Sequence, residues 1–145
     1  MRVFVDADTI LSGLLFAGNE SVLLELGRLR ALRLVTNEYV LGEVREVMKR
    51  KDFRLTEEER QHFMEYTLEC ISIVKDPSEE EIQRHYDILF DKKDLPILIG
   101  AKNENCDYLI TGDKELLSEK IKKLVNSTTT SELLEKFVKE KFLRL

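Results

Sequence analysis

The chain has 145 residues, 43% hydrophobic and 35% charged, with a formal net charge of −5. That length suits one domain spanning residues 1–145 with a proper core, and the apolar content excludes a disordered chain. The acidic balance excludes a surface that grips nucleic acid over its whole area, so any such binding must be local.

Val3, Phe4 and Val5 form a short apolar run that stops at Asp6, the pattern of a buried parallel strand ending in a carboxylate. In open parallel sheets ligands gather at the carboxyl ends of the strands, which is where Asp6 would sit. Asp8 and Thr9 follow in a polar turn, and Ile10, Leu11, Leu14 and Leu15 begin a helical pattern. Asp8 or Thr9 can be read simply as the cap of that helix. Arg2 followed by only three apolar residues is too short for a signal peptide, and no apolar run approaches a membrane span, so the expected location is the cytoplasm.

Val22, Leu23, Leu26 and Leu29 repeat at helical spacing, and Leu32, Leu34 and Val35 give a strand ending at Thr36 and Asn37. A strand, helix, strand unit forces a parallel pair. The next helix runs from about Glu38 to Arg50, with Val40, Leu41, Val44, Val47 and Met48 on one stripe. At about 100° per residue Glu43 lies about 40° outside that stripe, whereas Glu46 lies about 100° outside it and Glu38 lies on the opposite side. Glu43 is therefore the acid of this helix that can reach inward, although an ordinary flanking surface acid would occupy the same place. Lys49, Arg50 and Lys51 close the helix and offset its dipole.

Thr56 with Glu59 and Ser78 with Glu81 are capping boxes that open two further helices, with Ile71, Ile73 and Val74 as a strand between them and Pro77 at the boundary. Pro96 is tolerated in the first turn of a helix, so a helix starts near Asp94 and runs through Lys102. Asp94 is then either its N-cap or a site residue. Tyr108, Leu109 and Ile110 repeat the opening pattern, a buried strand ending in Thr111-Gly112-Asp113. If both strands are parallel and central, Asp6 and Asp113 share one end of the sheet. Lys114 to Leu117 should start a short helix, Leu124 and Val125 an edge strand, and Leu133, Leu134, Phe137 and Val138 a final amphipathic helix. Cys70 and Cys106 lack the spacing of a metal or redox motif and read as reduced core residues, while His62 and His85 fall on helical surfaces.

Asp6, Glu43, Asp94 and Asp113 can thus converge at one sheet edge, with no His, Cys or Ser arranged as a nucleophile and base. Packed carboxylates without cationic partners call for a hard divalent cation, Mg²⁺ or Mn²⁺, and that chemistry is phosphoryl transfer or phosphodiester hydrolysis.

Taken in order, Val5-Asp6-Ala7-Asp8-Thr9 with Ser12-Gly13-Leu14-Leu15, Glu43 in Leu41-Gly42-Glu43-Val44-Arg45-Glu46-Val47, Lys93-Asp94-Leu95-Pro96, and Asp107 through Leu117 resemble the PIN-domain nucleases, including the VapC-type toxins of toxin–antitoxin pairs. The resemblance covers nearly the whole chain. It implies a three-layer α/β/α sandwich around a mainly parallel sheet. It also implies an acidic quartet of Asp6, Glu43, Asp94 and Asp113, with Thr111 as the small hydroxyl before the last acid. Asp8 departs from the family's usual Asn or Ser and could add a ligand or shift metal preference. The implied activity is endonucleolytic RNA hydrolysis, with Mg²⁺ or Mn²⁺ held mainly by Asp6, Asp94 and Asp113 and with Glu43 holding a second metal or orienting the water. Thr111 would hydrogen-bond an acid or the substrate phosphate. The partners implied are an RNA substrate, a helical antitoxin segment and a second copy of the chain. An apolar surface around Val22 to Leu29 and Thr56 to Leu68 would receive the protein partners.

Two other readings follow from the same residues. Asp6-Ala7-Asp8-Thr9 after a strand also resembles the nucleophile motif of haloacid-dehalogenase-type phosphatases, with Asp6 forming an aspartyl-phosphate and Asp8 as acid/base. Val35-Thr36 mimics that family's second motif, but Leu117 stands where a second late acid is expected, and the chain is short for that fold. The third reading is a PIN-like interaction module that has lost activity, against which all four acids are present.

Overall fold

Strand β1 (Arg2–Val5) occupies the middle of a five-stranded, wholly parallel sheet, and Val3, Phe4 and Val5 are fully buried, as their unbroken apolar run requires. The computed structural model describes residues 1–142. The sheet order is β3-β2-β1-β4-β5, where β2 is Arg33–Asn37, β3 is Ile71–Val74, β4 is Tyr108–Ile110 and β5 is Ser127–Thr128. Val3 lies beside Leu34 and Tyr108, and Val5 lies beside Ile110, so the ends of β1 and β4 are level. Arg2 fixes that register at the other end. Its N–H donates to Asp107 Oδ2 at 2.6 Å and its guanidinium pairs with Glu104 at 2.9 Å.

The helices are α1 (Ala7–Leu15), α2 (Asn19–Arg28), α3 (Glu38–Met48), α4 (Glu57–Cys70), α5 (Glu79–Arg84), α6 (Leu95–Asn103), α7 (Glu119–Lys122) and α8 (Thr130–Phe142). Both capping boxes are present: the Thr56 hydroxyl accepts the Glu59 N–H and the Ser78 hydroxyl accepts the Glu81 N–H.

Two glycines reveal the layers. Gly27 of α2 lies so close to Leu34 and the Cys70 carbonyl that a Cβ would come within 2.6 Å of the Leu34 side chain, and Gly100 of α6 lies close enough to the Phe4 ring that a Cβ there would come within 3.1 Å of it. Leu34 is level with Val3 and therefore points to the opposite face from Phe4, so α2 and α6 cover opposite faces of the sheet. Helices α1 to α4 pack together with α8 on one side, and α5 packs with α6 on the other. Right-handed crossovers running outward through β2 and β3 and then back through β4 and β5 produce this arrangement. The chain reverses direction between β1 and β4, the topological switch point at which open α/β sheets bind ligands.

Two expected elements fall elsewhere. The last strand is Ser127–Thr128 and not Leu124–Val125: the Leu109 N–H donates to the Asn126 carbonyl and the Thr111 N–H to the Thr128 carbonyl, while Leu124 lies 40% exposed in the preceding turn. Lys114 to Leu117 form a turn rather than a helix, because the Asp113 carboxylate captures the N–H groups of Glu115 and Leu116. Cys70 is buried and Cys106 half-buried, both as free thiols. Among the described residues no single helix is long and apolar enough to cross a membrane.

Candidate active site

Asp6 follows β1 directly and caps α1, its Oδ1 accepting the Thr9 N–H at 3.0 Å. The cap considered for Asp8 or Thr9 therefore belongs to Asp6. The carboxyl is buried, which raises its pKa; hydrogen bonds from Thr9 and from the Thr111 hydroxyl oppose that rise, and the charge of Asp8 adds to it. Asp8 itself is exposed in the first turn of α1.

Thr111, buried at the end of β4, links two acids. Its hydroxyl lies near enough to the Asp6 carboxylate to lower that group's pKa, and it accepts the Asp113 N–H at 3.1 Å. Asp113 is exposed, with Oδ1 taking the N–H groups of Glu115 and Leu116 at 2.9 and 3.1 Å. The level ends of β1 and β4 thus bring Asp6, Thr111 and Asp113 to one edge.

Asp94 lies at the N-cap position of α6 without capping it. A capping residue needs extended backbone, whereas Asp94 continues from the tight turn Lys92–Asp94 with φ −87° and ψ −7°. Its Oδ2 is buried and has no hydrogen-bond partner. Burial first, then the charges of Asp113, Asp91, Glu43 and Asp6, push its carboxyl up to about 7. Those four acids name its surroundings.

Glu43 stands at the rim, exposed overall. Its pKa is raised by partial desolvation and then by the charges of Asp8 and Asp6, against which the Lys93 ammonium acts. The inward reach expected from its helical angle is thus a reach to the edge of the acid group. His62 is exposed and His85 binds the Glu81 carbonyl, so neither joins the acids.

Four residues to which the sequence reading gave no role in the site brace it. The Tyr39 hydroxyl donates to the Lys93 carbonyl at 2.8 Å, and the charges of Glu43, Asp94 and Asp91 add to burial in raising its pKa. Tyr39 lies four residues before Glu43 on α3, a same-face spacing that could have revealed it. Asp91 accepts the Lys93 N–H at 3.0 Å, and Glu115 accepts the N–H groups of Phe90 and Asp91. Asn37 caps α3 through Oδ1 and donates Nδ2 to the Pro96 carbonyl at 3.2 Å, joining the end of β2 to the start of α6.

The donor set is hard oxygen only, and the orphaned, buried Asp94 Oδ2 among like charges fits a small divalent cation. Among the described residues no three His, Cys, Asp or Glu side chains already converge as ligands, so the acids share one field without closing on one point.

A family model described as PIN domain matches residues 2–115, and the chain belongs to that family. Among solved structures, PAE2754 from Pyrobaculum aerophilum aligns with a TM-score of 0.67 at 17% identity, over 95% of this chain and 96% of that one. VapBC2 from Rickettsia felis, solved bound to a DNA fragment from their promoter, aligns with a TM-score of 0.64 at 15% identity, over 89% of this chain and 98% of that one. These likenesses show the α/β fold expected from the sequence. No curated protein matches by sequence. Membership of the PIN family removes the phosphatase reading with Asp6 as nucleophile.

Proposed function

We propose that this chain is a divalent-metal-dependent endoribonuclease, working in the cytoplasm as a single PIN domain and as the toxin of a toxin–antitoxin pair. The observation that carries this reading is Asp94: a helix-start acid that caps nothing, with a buried unpartnered oxygen and a carboxyl pushed to about 7 by burial and by other acids. Such an arrangement destabilises the metal-free chain and is relieved by a cation.

Asp6, Asp94 and Asp113 would hold Mg²⁺ or Mn²⁺, with Glu43 and Asp8 as the further acids within reach. When bound, the metal supplies positive charge that draws in the substrate phosphate and stabilises the leaving 3′ oxygen. The rest falls to the chain's own groups. Thr111 holds Asp6 and the Asp113 turn in a fixed relation. Glu43, with its raised pKa, accepts a hydrogen bond from the attacking water at its carboxylate oxygens. Lys93 lies near enough to offset part of the repulsion between Glu43 and an incoming phosphate.

The apolar surface expected for protein partners has support in Val22 of α2, Leu29 just after its end and Leu68 of α4, which are large apolar side chains left exposed. An antitoxin helix or a second copy of the chain would cover them. The Rickettsia felis neighbour is a VapBC pair on promoter DNA, which suggests the same kind of partnership here.

Purified protein incubated with single-stranded RNA tests the reading. Cleavage should require Mg²⁺ or Mn²⁺, stop with chelator and be lost in Asp113→Asn. Absence of cleavage with either metal would favour the inactive interaction module instead.

A further inference from the structure

An acidic nuclease has a binding problem. Apart from the one phosphate that a bound cation would draw in, the protein carries a net −5, so the counterion release that usually drives binding along a nucleic-acid chain is weak. Further grip on the neighbouring nucleotides has to come from their uncharged parts.

Phe90 is 94% exposed, the most exposed large apolar side chain among the described residues. It does not hang on a loose loop. Its N–H donates to Glu115 Oε2 at 2.6 Å and the next N–H, of Asp91, to Glu115 Oε1 at 3.1 Å. Lys92 donates its ammonium to the carbonyls of Tyr86 and Leu89, and Lys120 donates to the carbonyl of Ile88. The segment from Tyr86 to Lys93 is therefore braced at both ends while one ring is left in water. That ring is four residues before Asp94 and next to Asp91, whose charge acts on Asp94, Glu43 and Tyr39. Its backbone anchor, Glu115, is in turn held by the Asp113 carboxylate.

Resting on the nuclease reading, we propose that Phe90 is a stacking platform for one base of a single-stranded RNA, seating the nucleotide beside the acids. A phenyl ring has no polar atom with which to read a base edge, so the contact contributes affinity and register with little sequence preference. Pre-bracing the backbone lowers the ordering cost of such a contact. A duplex, whose bases are already stacked, gains nothing from it.

The test uses the whole chain and short RNA oligomers of equal length, one normal and one with abasic residues. Phe90→Ala, whose truncated ring is almost entirely in solvent, should melt like the parent, yet weaken single-stranded RNA binding and raise KM by roughly ten- to a hundredfold with kcat retained. The abasic oligomer should bind parent and variant alike. Because the chain has no tryptophan, Phe90→Trp in an Asp113→Asn background gives a single tryptophan, excited apart from the tyrosines at the long-wavelength edge, whose emission the normal oligomer should quench and the abasic one should not. Unchanged RNA affinity and KM in Phe90→Ala, or no quenching by bound RNA, overturns the stacking role while leaving the nuclease reading intact. A Phe90→Ala chain that loses only a protein partner overturns the stacking role in the same way. A parent chain that neither binds nor cleaves RNA overturns both.

Discussion

The Glu115 carboxylate holds Phe90 by its main chain, accepting the Phe90 N–H at 2.6 Å and the neighbouring Asp91 N–H at 3.1 Å. One side chain thereby clamps the segment leading to Asp94 onto the turn that carries Asp113. Glu115→Ala should cost about 1.5–3 kcal/mol of stability, the range for hydrogen bonds to a charged group. Mg²⁺ affinity should weaken as the two acids drift apart. Glu115→Gln, which keeps one acceptor oxygen, should recover part of both losses. Urea unfolding with titration calorimetry measures them.

Asp94 sets a pH dependence. Its folded carboxyl titrates at about 7 against an ordinary value of 3.8, so between those values the folded chain keeps a proton that the unfolded chain has released. Stability of the metal-free protein should fall as pH rises from about 4 to about 7 and level off above. Asp94→Asn should flatten that slope and be the more stable chain at pH 8, measured by denaturant unfolding in chelator. Its cleavage should drop by more than the roughly 10- to 100-fold typical of groups that only support a ligand. Near-parental cleavage would remove Asp94 from the metal site.

Asp6→Asn separates metal binding from helix capping. The amide oxygen can still accept the Thr9 N–H, so the cap survives while a charged ligand is lost. In the parent, Mg²⁺ at a hundred times its Kd should add about 2.7 kcal/mol of stability. In the variant most of that gain should vanish, read as the change in melting temperature on adding metal.

Gly100→Ala probes the seating of α6. The added methyl would meet Asn37 Nδ2 at 2.9 Å and the Phe4 ring at 3.1 Å, both in buried positions. Overpacking of about 1–3 kcal/mol outweighs the helix-propensity gain of up to about 1 kcal/mol. The strain should also break the Asn37–Pro96 link and displace Asp94 at the start of that helix. Unfolding by urea, together with a rise in the Mg²⁺ concentration needed for cleavage, checks both.

The ends of β1 and β4 were legible because each couples an unbroken apolar run to an abrupt acid, and a parallel sheet follows once the connections carry helices. Less legible was anything decided by a short polar side chain choosing between local bonds. Asp6 takes the cap that Asp8 or Thr9 could have taken, since the helix begins at Ala7. Asp113 folds its own side chain onto Glu115 and Leu116, so a helical pattern over Lys114 to Leu117 yields a turn. Hydrophobicity pointed to Leu124 and Val125 as the edge strand, but pairing went to Ser127 and Thr128, which an edge next to β4 accepts without a large apolar face. The bracing by Tyr39, Asp91 and Glu115 joins residues from three separate stretches of chain; the spacing of Tyr39 and Glu43 on one helix hints at the first, and pattern within the other stretches carries no sign of the rest.

The pairing of Val5 with Ile110 gives the molecule a timetable during its own synthesis. Helices α1 to α4 and strands β1 to β3 leave the ribosome first and can assemble a partial sheet, exposing Val22, Leu29 and Leu68 as they do. The acids cannot share one edge until the chain has grown past Asp113 and β4 has docked beside β1. On the proposed function, a cell making this protein would present the side proposed to receive a partner before the acids are assembled, and a neutralising partner produced nearby could be seated on the nascent chain before the site is complete.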